Sequence, residues 1–242
     1  TISGGGGGTG AWSPDDDQNL YAGTRAGRCL DGTNGCFNVL LGCNAGQATN
    51  SGAENIFVGK GAGFGNQSGD YNIFLGSYAG KCNTVGYGNI ALGKEVGFCL
   101  DTGIHNFYAL ERAGSNAYNG CDNIAIGRCA GYEMQSNDNV LLGRNAGRGQ
   151  VFGHRNVIIG MDAGRCGERG DNNVMIGCNA GRCNQGTGNV FLGHNTGSAV
   201  TSASGNVVIG CNVSLASSVQ DHQLAIGVGN TNSVSYTHLR AH

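Results

Sequence analysis

The stretch NVLLGCNAG at residues 38–46 recurs almost unchanged as NVMIGCNAG at residues 173–181. Variants of this phrase run along the chain, thirteen copies in all, and nearly every copy places three apolar residues between an Asn and a Gly. Internal periodicity of this kind determines the architecture before any single motif does, because each copy is one structural unit. The phrase therefore predicts a repeat protein.

The copies are regularly spaced. We number each copy from its first residue, position 1, which is Asn in twelve copies and Gln223 in the last. The first interval is 19 residues and every other interval is 16 or 17. Position 2 is always aliphatic or Phe, position 5 is Gly in twelve copies and position 9 in eleven. The asparagines are Asn19, Asn38, Asn55, Asn72, Asn89, Asn106, Asn123, Asn139, Asn156, Asn173, Asn189 and Asn206.

A helix does not fit this pattern. Each interior Gly would cost about 1 kcal/mol in a helix, and the apolar residues bunch at positions 2 to 4 instead of recurring with helical spacing. A short apolar run between Asn and Gly is typical of a strand with turns on both sides. Coils stacked about 4.8 Å apart then form a parallel β-solenoid. We predict an all-β fold with thirteen coils.

The recurrent residues have expected places in such coils. Stacking puts like residues above one another, so the position-1 asparagines should form an amide ladder. Glycines at positions 5 and 9 should form corners, where φ is positive or another backbone passes closely. The small Ala common at position 8 suits a thin core.

Strand side chains alternate between faces, so positions 2 and 4 should point one way and position 3 the other. Taking positions 2 and 4 as the interior makes position 3 an outward apolar stripe. Two interpretations stay open: both strand faces are buried in one wide coil, or parallel rods pack along the stripe in a closed symmetric oligomer. The small coil favours the oligomer. The stripe comprises Leu40, Phe57, Phe74, Tyr108, Leu141, Ile158, Met175, Phe191 and Val208.

Composition limits the partners. Gly supplies 47 residues and Pro one, which excludes collagen. The net charge of −2 gives no reason to expect nucleic acid. No apolar run approaches the roughly 20 residues of a membrane span, so we expect no direct membrane insertion in this segment.

The repeats divide the chain into three parts. Residues 1–18 form a Gly-rich lead-in or linker, 19–232 the β-solenoid domain, and 233–242 a non-repeat tail. The tail resembles translated sequencing-adapter sequence, and its last seven residues are excluded from the fold prediction. The chain lacks an initiating Met, so we expect a fragment or a processed form.

The repeated N-[VI]-x-[IL]-G-x-x-A-G phrase resembles the head repeats of trimeric autotransporter adhesins and is similar to the solenoid repeats of phage-type tail-fibre shafts. The resemblance covers roughly residues 19–230. It implies a left-handed parallel β-roll, a homotrimer, an extracellular place on a cell or virion surface, and attachment to a host-surface glycan or protein receptor. The adhesin heads have shorter repeats and few cysteines, whereas this chain has eleven.

Five cysteines fall at position 11, including two pairs in adjacent coils: Cys82 with Cys99, and Cys166 with Cys183. Vertical neighbours in a solenoid lie close enough for a disulfide. Free, half-buried thiols and disulfide staples both stay open; staples would require an oxidising compartment. No Cys or His spacing indicates a metal site.

Position 10 carries a cation in several coils, with Arg148, Arg165 and Arg182 consecutive. Such a row is usual for a solvated edge that discourages aggregation. It would also suit an anionic glycan.

Catalytic signatures are missing from the sequence. Hexapeptide acyltransferases need an apolar residue where position 10 carries Arg or Lys, and the Gly-rich start lacks the Lys and Ser/Thr of a phosphate loop. We expect no enzyme activity and no cofactor. The expected function is a structural or adhesive fibre segment; the alternatives are a passive spacer without its own ligand and, less favoured, a solenoid enzyme.

Overall fold

The computed structural model describes residues 15–30, 34–149, 152–167, 169–198, 200–229 and 231–237. These residues fall into two compact units, divided after Cys121. Each unit is a stack of parallel coils. The fold prediction, an all-β parallel β-solenoid, is confirmed.

Each coil of the repeat contributes one short strand, three residues long in the first eleven copies. The first unit contains β1 (Leu20–Ala22), β2 (Val39–Leu41), β3 (Ile56–Val58), β4 (Ile73–Leu75), β5 (Ile90–Leu92) and β6 (Phe107–Ala109). The second unit contains β7 (Ile124–Ile126), β8 (Val140–Leu142), β9 (Val157–Ile159), β10 (Val174–Ile176), β11 (Val190–Leu192), β12 (Val207–Cys211), β13 (Gln223–Val228) and β14 (Thr231–Thr237).

Within each unit the strands pair in chain order, and like positions pair with like. Leu40 of β2 pairs with Phe57 of β3, and Met175 of β10 pairs with Phe191 of β11. All pairs from β1 to β6 and from β7 to β13 are parallel, and β14 runs antiparallel to β13. The tail predicted from residue 233 thus begins inside β14.

The glycines at positions 5 and 9 form corners, as predicted. Gly42 at position 5 has φ +137°, and a Cβ added there would lie 2.6 Å from the Gly59 carbonyl oxygen of the next coil. Gly46 at position 9 has φ +53°, and its added Cβ would lie 2.8 Å from the Leu40 side chain. At Gly42 and Gly46 only Gly satisfies both the conformation and the space of the corner.

The position-1 asparagines form the predicted amide ladder. Asn55 donates its backbone N–H and its Nδ2 to Oδ1 of Asn38, at 2.9 and 3.1 Å, and a second Nδ2 contact reaches the Gly69 carbonyl at 2.9 Å. The same set recurs between Asn38 and Asn19 one coil earlier. Each buried amide therefore satisfies both its own coil and the neighbouring one.

In most of the described coils the core consists of the side chains at positions 3, 8 and 12. Phe57, Ala62 and Asn66 are fully buried in one coil, and the Phe57 ring stacks on Phe74 at 5.0 Å between centroids. The prediction that position 3 faces outward is wrong. All nine members of the stripe are at most 1% exposed within the single chain: Leu40, Phe57, Phe74, Tyr108, Leu141, Ile158, Met175, Phe191 and Val208.

The reason for this correction is the direction of the corner at position 5. The chain turns toward the side of the strand that carries position 3, where the position-9 Gly packs directly against that side chain: an added Cβ on Gly114 would lie 2.5 Å from the Tyr108 ring. Positions 2 and 4 therefore point outward. The wide-coil interpretation also fails, since Ile56 and Val58 remain 38% and 36% exposed.

Candidate functional site

The outward residues at positions 2 and 4 form an apolar surface, which we call the sheet face. Strands alternate sides, so burying position 3 leaves its two neighbours on the outside. In the second unit, strands β7 to β13 each contribute two aliphatic side chains. Ile124, Ile176 and Ile226 are each 38–39% exposed. In-register pairing lines these side chains up in two rows.

A second surface follows each strand, where positions 7 and 10 lie side by side; we call it the turn face. Position 7 is the third residue of a turn closed by a hydrogen bond from position 8 to position 5, as from Ala180 N–H to the Gly177 carbonyl at 3.2 Å. Its φ is positive, 57° at Asn179. This geometry points the side chain outward, beside the residue at position 10.

The turn face of the first unit is largely occupied by its own contacts. Arg112 donates Nε–H to Glu95 at 2.7 Å and holds the pKa of that carboxyl below its ordinary value. The Lys81 ammonium lies 5.3 Å from the Tyr78 ring centroid and 5.0 Å from that of Phe98. In these coils, which contain β4 to β6, the charges and aromatic rings already have partners.

The turn face of the second unit differs. Asn179 donates Nδ2–H to Oδ1 of Asn195 at 2.9 Å, and Asn195 donates to Asn212 at 2.8 Å. These outward amides form a second ladder, one step per coil. They line a surface groove of about 330 Å³ together with Arg182, Ser198 and Ser214.

The structure places Arg148, Arg165 and Arg182 on this turn face, at position 10 of three successive coils. Arg165 pairs with Asp162 at 3.6 Å. Arg148 lies over the Tyr132 ring, 5.6 Å from its centroid. Arg182 is exposed and makes no ion pair with any described residue. The row predicted as one site therefore contains three cations in three different environments.

The position-11 cysteines meet across coils as predicted, but as thiols, since the eleven cysteines are free in this structure. Burial and a hydrogen bond with Cys82 raise the pKa of Cys99 to about 12. Burial and the Cys166 thiol raise the pKa of Cys183 in the same way. Disulfides between Cys82 and Cys99 and between Cys166 and Cys183 stay a prediction.

The described part of the chain holds no group of three or more His, Cys, Asp or Glu side chains arranged to bind a metal ion. None of its residues belongs to a helix with the length and apolarity that a membrane crossing requires.

Sequence reasoning missed both surfaces. From the sequence, positions 2 and 4, which form the sheet face, are predicted to lie in the interior, and no prediction is made for the outward amides at position 7. A signal for the amides exists, because Asn occupies position 7 in five coils, three of them consecutive. The members are Asn44, Asn145, Asn179, Asn195 and Asn212.

Comparison with known proteins adds no relative. No protein-family model, no curated protein and no solved structure matches this chain.

Proposed function

We propose that this chain is a structural and adhesive segment of a surface fibre, a β-solenoid that assembles as a homotrimer through its sheet face. The sheet face is the observation that carries the proposal. In the second unit it consists of fourteen aliphatic side chains, two from each of seven strands, with no charged residue among them. Soluble monomers rarely expose contiguous apolar surfaces of more than a few hundred Å², and larger ones mark interaction sites.

A second copy of the chain is the best occupant for this surface. The two aliphatic rows repeat at the coil spacing of about 4.8 Å, so the same face of an identical stack of coils matches them row for row. Their extent is on the scale of the ~800 Å² that each partner buries in a standard interface. A closed assembly then covers the face on every copy. The number three comes from the resemblance to trimeric adhesin heads, which also motivates the extracellular location.

The adhesive part of the proposal is assigned to the turn face, where Arg148 and Arg182 are exposed. A receptor there would be a host-surface glycan or protein. The proposal assigns the chain no catalytic step and no cofactor.

Sedimentation equilibrium tests the assembly. We expect a species of three times the 24.7 kDa chain mass at micromolar concentration. Replacing Ile159 and Ile176 with Lys puts charges on the sheet face without touching the core, and should give monomers. The matched control places Lys at the exposed Thr201 and Ser202 and should stay trimeric. A wild-type monomer, or a double-Lys sheet-face variant that remains a trimer, would contradict the proposal.

A further inference from the structure

The groove on the turn face of the second unit has unused hydrogen-bonding capacity. A side-chain amide has two N–H donors and an acceptor oxygen with two lone pairs. Asn195 uses one N–H toward Asn212 and accepts one from Asn179. One donor and one lone pair are left at this step of the ladder. A sugar hydroxyl, itself both donor and acceptor, matches that pair of groups.

Backbone conformation does not explain why amides occupy this row. Position 7 has positive φ in both units, and Asn tolerates that conformation better than most residues. In the first unit, however, the same conformation is adopted by Tyr78, Glu95 and Arg112, with φ of 56–60°. The turn accepts large and charged side chains, so its conformation does not by itself require the three consecutive amides Asn179, Asn195 and Asn212.

The spacing of the amides along the groove indicates the direction in which an extended ligand would lie. Successive amides are one coil apart, about 4.8 Å along the stack. An extended polysaccharide presents hydroxyls at comparable intervals along its length. A glycan lying parallel to the stack would therefore meet one amide per coil.

Charge selects the kind of glycan. Arg182 lines the groove, and its guanidinium is not neutralised by any carboxylate of the described residues. Arg148 lies two coils away on the same row. Guanidinium groups form bidentate contacts with carboxylate and sulfate groups, so acidic substituents on the ligand would be bound there.

The groove lining argues against other ligand classes. Small-molecule and cofactor pockets are mostly apolar and enclosed, whereas all six residues here are polar or charged. Single-stranded nucleic acid needs aromatic platforms on which its bases stack. None lines this groove, and the Tyr132 ring on the same turn face lies under Arg148.

We infer that the turn face of the second unit is a binding groove for an anionic glycan, with Asn179, Asn195 and Asn212 bonding hydroxyls and Arg182 pairing with a carboxylate or sulfate. This inference rests on the proposed adhesive function and names its ligand class and its site.

Calorimetric titration of the full chain tests the groove. The probes are a heparin-derived octasaccharide, an oligogalacturonate, a neutral cello-oligosaccharide and an oligo-dT single strand. We expect both anionic oligosaccharides to bind more tightly than the neutral one and the oligo-dT. Arg182→Gln should weaken binding at least about tenfold, the scale of one lost charge-assisted contact. Asn195→Gly, chosen because Gly keeps the positive φ, should weaken binding about two- to tenfold, the scale of one neutral hydrogen bond.

Arg169→Gln is the matched control, since it removes the same charge from an exposed position off the turn face. It should leave the affinity within about twofold. Circular dichroism and thermal melting check that each variant is folded. The groove is ruled out if neither anionic oligosaccharide binds, if Arg169→Gln weakens binding as much as Arg182→Gln, or if oligo-dT binds equally well.

Sedimentation of the same samples separates this inference from the proposed assembly. A trimer that binds no oligosaccharide would overturn the groove alone and would favour the passive spacer. A monomer that binds with Arg182 dependence would overturn the assembly alone.

Discussion

Truncating one rung of the buried amide ladder should destabilise the fold strongly. Asn38 donates Nδ2–H to the Gly52 carbonyl at 2.9 Å, and its Oδ1 accepts the backbone N–H of Asn55 at 2.9 Å. Asn38→Ala removes both partners, and both stranded groups belong to buried residues. A stranded buried polar group costs about 1–3 kcal/mol, so we expect a loss of about 2–6 kcal/mol.

The control for this variant is Asn50→Ala, the same substitution at an exposed position of the same coil. Exposed substitutions usually change stability by less than about 0.5 kcal/mol. Urea unfolding followed by circular dichroism gives the free energy of each variant. Hydrogen exchange adds a local readout, because the Asn55 amide should lose its protection in Asn38→Ala only. Equal unfolding free energies for the two variants would refute the ladder as a source of stability.

Two further substitutions probe the corners and the thiols. Gly188→Ala, with φ +70° and open space around the added Cβ, should cost only the roughly 1–2 kcal/mol of left-handed backbone strain. Gly160→Ala should destabilise the fold more, because its Cβ would also lie 2.5 Å from the Gly177 carbonyl oxygen. Equal melting temperatures for the two variants would contradict this. The wild type should lose stability between pH 9, the ordinary pKa of a thiol, and about 12, because the unfolded chain releases the Cys99 proton first. In Cys99→Ala, the unfolding free energy measured by urea titration should fall less steeply with pH over this range. An unchanged pH dependence would show that the Cys99 thiol stays accessible to solvent in the folded chain. Mild oxidation with diamide should join Cys82 to Cys99, which peptide mass mapping would detect; eleven reactive thiols after treatment would exclude the staple.

The period, the ladder and the corners could be predicted because each rests on a residue type with one physical role. Asn55 can be buried because its side-chain amide forms hydrogen bonds with groups of two coils. Gly42 lies at a corner where no side chain fits. Such constraints act in nearly every coil, so the same residue type recurs at the same position of the repeat. The amide groove could not be predicted in the same way, because it depends on which side of the turn Asn195 and Arg182 share.

The inward and outward faces of the strand are predicted the wrong way round from the sequence, because three consecutive apolar residues include no polar residue to indicate which face meets solvent. A decisive signal was nevertheless present in the variation within coils. Native cores are packed to nearly constant density, so inward positions must compensate one another in volume. Small Ala91 at position 3 accompanies Leu100 at position 12, and large Tyr108 accompanies Ala117; all four are fully buried.

Positions 2 and 4 behave differently, and the difference has a physical consequence. They keep aliphatic side chains of similar size in nearly every coil, although the buried position-3 side chain beside them varies in size from Phe57 in one coil to Ala91 in another. No interior packing constraint acts on residues such as Ile56 and Ile176, which remain more than a third exposed. Solvent alone would favour polar substitutions there, as it does at position 13 in most coils, where Asn50, Gln67 and Gln185 are exposed. An aliphatic row that the core does not require is best explained by an apolar surface outside the chain, and the surface of matching repeat is a second copy.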